Sequence, residues 1–374
     1  MSDRASGAPP VRGLSLDPRA LEENLTGWLR RRFGDPRLTI ASLTVPESAG
    51  VNNETVLLSV CSEAPELQAR PGLVVRLEPL NTQFPDVTIA LQHRLYAAME
   101  RHPEIPTPRV FGLEEDAGVA GRRFFVMERL EGLIPSDNPP YQQSGWFAEL
   151  PASDRGELWR NAVRTMARLH MVSVAEVAFL RDYGIGGVRE QLGVARRGFD
   201  RGRRGREFPL LERAWEWLQA NAPYDAAEGF SWGDARCANM MFTGTRCTGL
   251  LDWDMTSLCG AESDLAWWLI FDLTSNGGGA SLPGMLSPAQ TIRLWEETTG
   301  REARNLEYWI MFHLFWLGGI MIRLIDFLAE NGTPAPGLAG RDEVNTAMSV
   351  LHSRFGTGVD QGLGSWDFFR PVLK

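Results

Sequence analysis

Trp232-Gly233-Asp234-Ala235-Arg236-Cys237-Ala238-Asn239 and, after an apolar stretch, Leu250-Leu251-Asp252-Trp253-Asp254 are the segments that decide how this chain is read. The first sets an Asp and an Asn at D-x4-N spacing, and the second closes a short β-like run with a further Asp. A carboxylate on a loop can orient or deprotonate an attacking hydroxyl. An Asn carbonyl and a second carboxylate are hard oxygen ligands that hold Mg²⁺ against nucleotide phosphates. Turn and cap chemistry explains D-x4-N alone equally well. The added Asp252 and a β-rich stretch upstream tip the reading toward phosphoryl transfer.

The rest of the composition bounds that reading. At 374 residues the chain is long for one compact domain, and two lobes are expected. With 44% hydrophobic and 23% charged residues it has the makeup of an ordinary globular protein. A formal net charge of -9 argues against a general nucleic-acid binder, which needs a basic face. Cys61, Cys237, Cys247 and Cys259 lack zinc-ligand spacing and are too sparse for a disulfide scaffold, so reduced thiols in a cytoplasmic protein are expected. Met1 to Pro10 has no apolar core of the signal-peptide kind. Tyr308 to Ile322 is apolar but contains His313 and Gly318-Gly319 and is too short to span a bilayer, so it reads as a buried core helix, with no membrane partner. The only lysine is Lys374. Any site that ordinarily uses a lysine must use something else.

Along the chain, residues 1–16 read as a tail, and Asp17-Pro18 as the cap and first turn of a helix to Phe33. Leu38–Val45, Thr55–Val60, Leu73–Leu77, Val110–Leu113 and Phe124–Leu130 read as strands, with an amphipathic helix over Thr88–Glu100. Helices dominate afterwards, over Asp154–Val172, Leu210–Asn221, Ala261–Asp272, Pro288–Thr299 and Leu306–Asn331. Gly229–Trp232 and Thr248–Leu251 form a β-like island among them. The implied domains are 17–130 and 131–374.

These segments resemble the aminoglycoside phosphotransferase and choline kinase-like family. The likeness continues through Gly260-Ala-Glu-Ser-Asp-Leu-Ala-Trp267. Upstream it includes Phe124-Phe-Val-Met-Glu-Arg-Leu-Glu-Gly132 and Ala167-Arg-Leu-His170. Within the family the chain looks most like the kinase-like domain attached to some acyl-CoA dehydrogenases. The resemblance implies an α+β, two-lobed protein-kinase-like fold with a small β-rich N-lobe and a larger, mainly helical C-lobe. It implies transfer of the γ-phosphate of ATP or GTP, with Mg²⁺, to a hydroxyl of a small-molecule acceptor. Asp234 would be the catalytic base, and Asn239 and Asp252 the metal ligands. Met127, Glu128 and Leu130 would meet the adenine. The Ser48-to-Glu54 loop, with Ser48, Asn52 and Asn53, would cover the phosphates. Asp264 would tie the catalytic loop to the helix that it begins.

Three positions depart from the family pattern. Trp232 stands where the family has a packing and loop-orienting His, and none of the five histidines is near that loop. Arg76 falls at the usual phosphate-binding lysine of the third strand, and Gln92 at the helix Glu that pairs with it. Arg can grip phosphate bidentately, but it is longer and planar. The joint replacement leaves an alternative open, a nucleotide-binding protein that keeps the fold without the activity. Finally, Arg196 to Arg206 carries a dense arginine run, either a solvated face or an anion site favouring a phosphorylated, carboxylated or CoA-linked acceptor.

Overall fold

The computed structural model describes residues 16–46, 54–79, 88–330, 340 and 342–373. The chain divides into two units, one running to Pro103 and resuming over Thr107–Glu131, the other made of Glu104–Pro106 and the residues from Gly132 onward.

The first unit opens with α1 (Pro18–Phe33). Asp17 caps it by accepting the Arg19 N–H at 3.1 Å, and Pro18 occupies the first turn, where its missing N–H costs no hydrogen bond. Five strands follow: β1 (Thr39–Thr44), β2 (Glu54–Cys61), β3 (Gly72–Leu77), β4 (Val110–Glu114) and β5 (Phe124–Glu128). They form one antiparallel sheet in the order β1-β2-β3-β5-β4. The short helices α2 (Pro65–Gln68) and α4 (Ala117–Ala120) and the longer α3 (Ile89–Met99) lie between strands. Alternation along the strands gives the sheet two faces. Val56, Leu58, Val75, Leu77, Phe124 and Val126 share a core with Leu21, Leu25, Trp28 and Leu29 of α1, and Trp28 meets Phe124 edge-on at 5.3 Å. Val74, Arg76, Phe125 and Met127 belong to the other face. There α3 packs through His93 and Tyr96, whose rings each lie 6.0 Å from that of Phe125.

The second unit is mainly helical: α5 (Trp146–Glu149), α6 (Ala152–Leu169), α7 (Val188–Arg203), α8 (Pro209–Asn221), α9 (Ala261–Ser275), α10 (Pro288–Thr299), α11 (Leu306–Glu330) and α12 (Thr346–Phe355). Three of these, the one-turn α5 and the longer α7 and α12, go beyond the sequence expectations. The arginine-dense stretch proves to be the polar side of an amphipathic helix whose buried stripe is Leu192, Ala195, Phe199 and Gly202. Four arginines of the run pair with carboxylates of the same unit. Arg196 and Arg203 each meet Asp200 and Glu212, Arg204 meets Asp326 and Glu330, and Arg206 meets Asp326 and Asp342. Helix α11 is long and apolar enough by composition to cross a membrane, yet Tyr308, Trp309, Met311, Phe312, Phe315 and Ile322 are buried within the unit.

The β-like island is a hairpin of β6 (Met240–Thr243) and β7 (Arg246–Leu250), with Met240 opposite Leu250. Gly229–Trp232 corrects the expectation of a strand. Among the described residues it makes only the isolated bridges Gly229↔Cys259 and Ser231↔Ser257, because from Trp232 onward the backbone N–H groups turn to a side chain rather than to a neighbouring strand.

Candidate active site

That side chain is Asp264, in the first turn of α9 and fully buried. Its Oδ1 accepts from Ser231 Oγ (2.8 Å) and the Gly233 N–H (2.7 Å), and its Oδ2 from the Trp232 N–H (2.6 Å) and His170 Nε2 (2.8 Å). Four donors on one buried carboxylate leave no polar atom of that cluster unsatisfied. The His170 tautomer follows from its other nitrogen. Nδ1 accepts the Trp295 indole N–H at 2.9 Å, so the ring proton sits on Nε2. This corrects the expectation that no histidine is near the loop: His170, at the end of α6, reaches it through Asp264.

The loop so anchored presents Asp234, itself buried. Its Oδ1 accepts from Trp267 Nε1 (2.7 Å) and Arg236 Nε (2.9 Å), and its Oδ2 from Asn239 Nδ2 (2.7 Å). Arg236 also pairs with Asp137 and lies over the Phe271 ring, 5.1 Å from its centroid. Burial penalises the Arg236 charge, but Asp234, Asp137 and Asp252 outweigh that penalty and hold the guanidinium above its ordinary value. Trp267 and Arg236 had no role assigned from sequence. The usable signal for Trp267 was its spacing, one helical turn beyond Asp264 and so on the same face of α9. Cys237, next in the loop, is no nucleophile candidate. Burial, and then the nearby Cys247, push its thiol well above its ordinary range.

The hairpin brings the expected metal ligands to one end. Met240 pairs with Leu250, so Asn239 precedes the first strand where Leu251 follows the second, and the Leu251 N–H donates to the Asn239 carbonyl at 3.0 Å. Asp252 is the next residue. It does not close the strand, as the sequence reading has it, but lies two residues past it at φ +58°, a left-handed conformation that Asp tolerates better than most side chains. Trp232 secures this turn, its indole N–H donating to the carbonyls of Leu251 (3.1 Å) and Asp252 (2.9 Å). A tryptophan thus links the two motif segments. Asn239 commits its amide nitrogen to the Asp234 side chain and, at 3.0 Å, to the Asp234 carbonyl, which leaves its oxygen for other work. One amide oxygen and one carboxylate suit Mg²⁺, which takes few protein ligands and completes its shell with water and substrate phosphate. Among the described residues no group of three or more His, Cys, Asp or Glu is gathered to cage a metal.

The candidate nucleotide residues lie in the first unit. Ser48, Asn52 and Asn53 fall outside the described residues. Arg76 stands on β3 opposite Thr55, and its Nη1 donates to Thr55 Oγ1 at 3.3 Å. Gln92 is buried in α3, the helix packed on that face of the sheet. Met127 is buried in β5, and Glu128 ends it. The Glu128 side chain is engaged by Arg70 Nε at 2.7 Å, and its N–H donates to the Arg109 carbonyl at 2.8 Å. Leu130 follows two residues past the strand.

Comparison with known proteins gives a consistent picture. The model of the phosphotransferase enzyme family matches residues 47–298. Human acyl-CoA dehydrogenase family member 11 is 24% identical over 322 residues, covering 82% of this chain and 38% of that protein. The chain spans well under half the length of the curated relatives it matches. A solved aminoglycoside phosphotransferase candidate from Ralstonia eutropha JMP134 superposes with a TM-score of 0.69 at 19% identity, covering 94% of this chain and 99% of that one. The GDP and kanamycin complex of APH(2")-IIia superposes with a TM-score of 0.56 at 13% identity over 90% and 99%. These likenesses show a shared fold.

Proposed function

Because the chain belongs to the phosphotransferase enzyme family, we propose that it transfers the γ-phosphoryl group of ATP or GTP to a hydroxyl of a small-molecule acceptor. The observation that carries this reading is the Asp234 carboxylate, buried and oriented by Arg236 and Asn239 of its own loop and by Trp267 of α9, with Asn239 bonded to the residue before Asp252. In the proposed step the acceptor oxygen bonds to the γ-phosphorus as the bond to the bridging oxygen of the nucleoside diphosphate breaks. The hydroxyl proton passes to Asp234. Asn239 and Asp252 would hold Mg²⁺, which when bound neutralises charge on the phosphate oxygens. Arg76, in the lysine position, would supply a bidentate grip on phosphate.

The acceptor is the finer question. The names of the similar proteins, together with the family resemblance, motivate a panel of aminoglycosides, choline-like amines and hydroxyacyl-CoAs. Pairing of the acids at Asp200, Glu212, Asp326, Glu330 and Asp342 with arginines removes five carboxylates that a polycationic aminoglycoside could otherwise use. The test is nucleoside diphosphate release across that panel with Mg²⁺ and ATP or GTP. Turnover by the wild type that survives both Asp234→Ala and Asp252→Ala would refute the assignment. The Arg76 and Gln92 replacements favour a second reading, nucleotide binding without transfer. Its mark would be a Mg²⁺-dependent thermal shift with ATP and no turnover on any acceptor.

A further inference from the structure

We propose that Trp267 is the positioning residue for Asp234 and that it gives the two carboxylate oxygens different tasks, an inference that rests on the phosphotransfer reading above. A carboxylate offers about four lone-pair sites. On Oδ1 both are filled, by the Trp267 indole N–H at 2.7 Å and the Arg236 Nε–H at 2.9 Å. Oδ2 receives Asn239 Nδ2 at 2.7 Å among the described residues, so the remaining site is on Oδ2. The acceptor hydroxyl is therefore received at Oδ2, and its proton goes there.

Trp267 is suited to impose this choice. Indole is a donor without acceptor capacity, so it can bond the carboxylate but cannot substitute for the acceptor's oxygen. The side chain is 2% exposed, and the rings of Phe271 and His313 lie 4.8 Å and 4.9 Å from its own. His313 is neutral, lowered to about 4 chiefly by burial, and its Nε2 is engaged with Ser263 Oγ at 2.9 Å, so it brings no competing charge to the indole. The scaffold also ties the two halves of the loop together. Asp264 and Trp267 lie one turn apart on α9, the first holding the backbone at Trp232 and Gly233, the second holding the Asp234 side chain. One helix face thus sets both the position of the loop and the rotamer of its carboxylate.

The test begins with the indole N–H resonances of the ¹⁵N-labelled full chain, which has 13 tryptophans. The Trp267 resonance is assigned through its contacts with the Phe271 and His313 rings. In Asp234→Ala it is expected to move upfield, toward the indoles of Trp159 and Trp268, whose N–H groups are buried without a hydrogen-bond partner among the described residues. A Trp267 resonance that stays in place overturns the proposal. In the acceptor-panel assay with Mg²⁺ and ATP, Trp267→Phe is expected to lower kcat about tenfold or more while the nucleotide KM stays within about twofold. An unchanged kcat, or a loss carried by KM, also overturns it. If Trp267→Phe does not fold, the Asp234→Ala spectrum decides alone. Turnover that persists in Asp234→Ala strikes instead at the phosphotransfer reading, so the two failures are distinguishable.

Discussion

Replacing Asp264 with asparagine probes the anchor of the loop that carries Asp234 more sharply than deleting the side chain. The buried carboxylate receives two donors on each oxygen, so an amide in either orientation turns an NH₂ toward two donors. The better orientation places the NH₂ at the Ser231 and Gly233 side, because the Ser231 hydroxyl can rotate to accept while His170 cannot change tautomer without losing Trp295. The Gly233 N–H is then left buried without an acceptor, at about 1–3 kcal/mol. The bonds from Trp232 and His170 survive but lose the ionic component, at about 0.5–1 kcal/mol each. The expected destabilisation for Asp264→Asn is therefore about 3 kcal/mol. Asp264→Ala strands three buried N–H groups and should cost about 5 kcal/mol. For a unit of this size the asparagine variant should melt roughly 6–12 °C lower, followed by tryptophan fluorescence. Hydrogen exchange should rise at Gly233 in particular. An asparagine variant as stable as wild type, or worse than the alanine variant, would refute the donor accounting, as would unchanged protection at Gly233.

Other consequences are equally direct. Gly233 sits at φ +92°, and a Cβ there would lie 1.8 Å from the Met255 carbonyl oxygen, so Gly233→Ala should cost about 3 kcal/mol or more and abolish turnover, read by melting and the panel assay. The Asp272 carboxyl is pushed up to about 7 by burial, against hydrogen bonds from Gln142 and Ser281. Its folded-state value exceeds the unfolded one of about 3.9, so its contribution is fully present below pH ~4 and is lost as pH rises to ~7. Asp272→Asn, which keeps the Gln142 bond, should remove that slope and raise the pH 8 melting temperature above wild type. An unchanged pH profile of stability would count against it. In the arginine run, Arg196→Ala should cost about 1 kcal/mol in a urea titration, more at low salt, since Arg196 bridges Asp200 and Glu212. Arg197→Ala, exposed and outside that pairing, should stay within about 0.5 kcal/mol.

Much of this protein is legible locally. Asp17-Pro18 announces α1, alternation announces the five strands, and the spacing of Asp234, Asn239 and Asp252 singles them out as the candidate site, because caps, strand periods and loop motifs are set by residues a few positions apart. Helix α7 escaped because its arginines obscure a buried stripe of only four residues. The second half of the site was hidden for a different reason. His170 meets Asp264 across 94 positions and Trp295 across 125, and Trp267 reaches Asp234 across 33. Trp232 reads as the loss of a histidine, yet its indole clasps the turn at Asp252. The sequence by itself determined which groups could do chemistry. Only the tertiary structure decided which donors hold each carboxylate oxygen, since that depends on how α6, α9 and α10 pack around one loop and on the need of every buried polar group there for a partner.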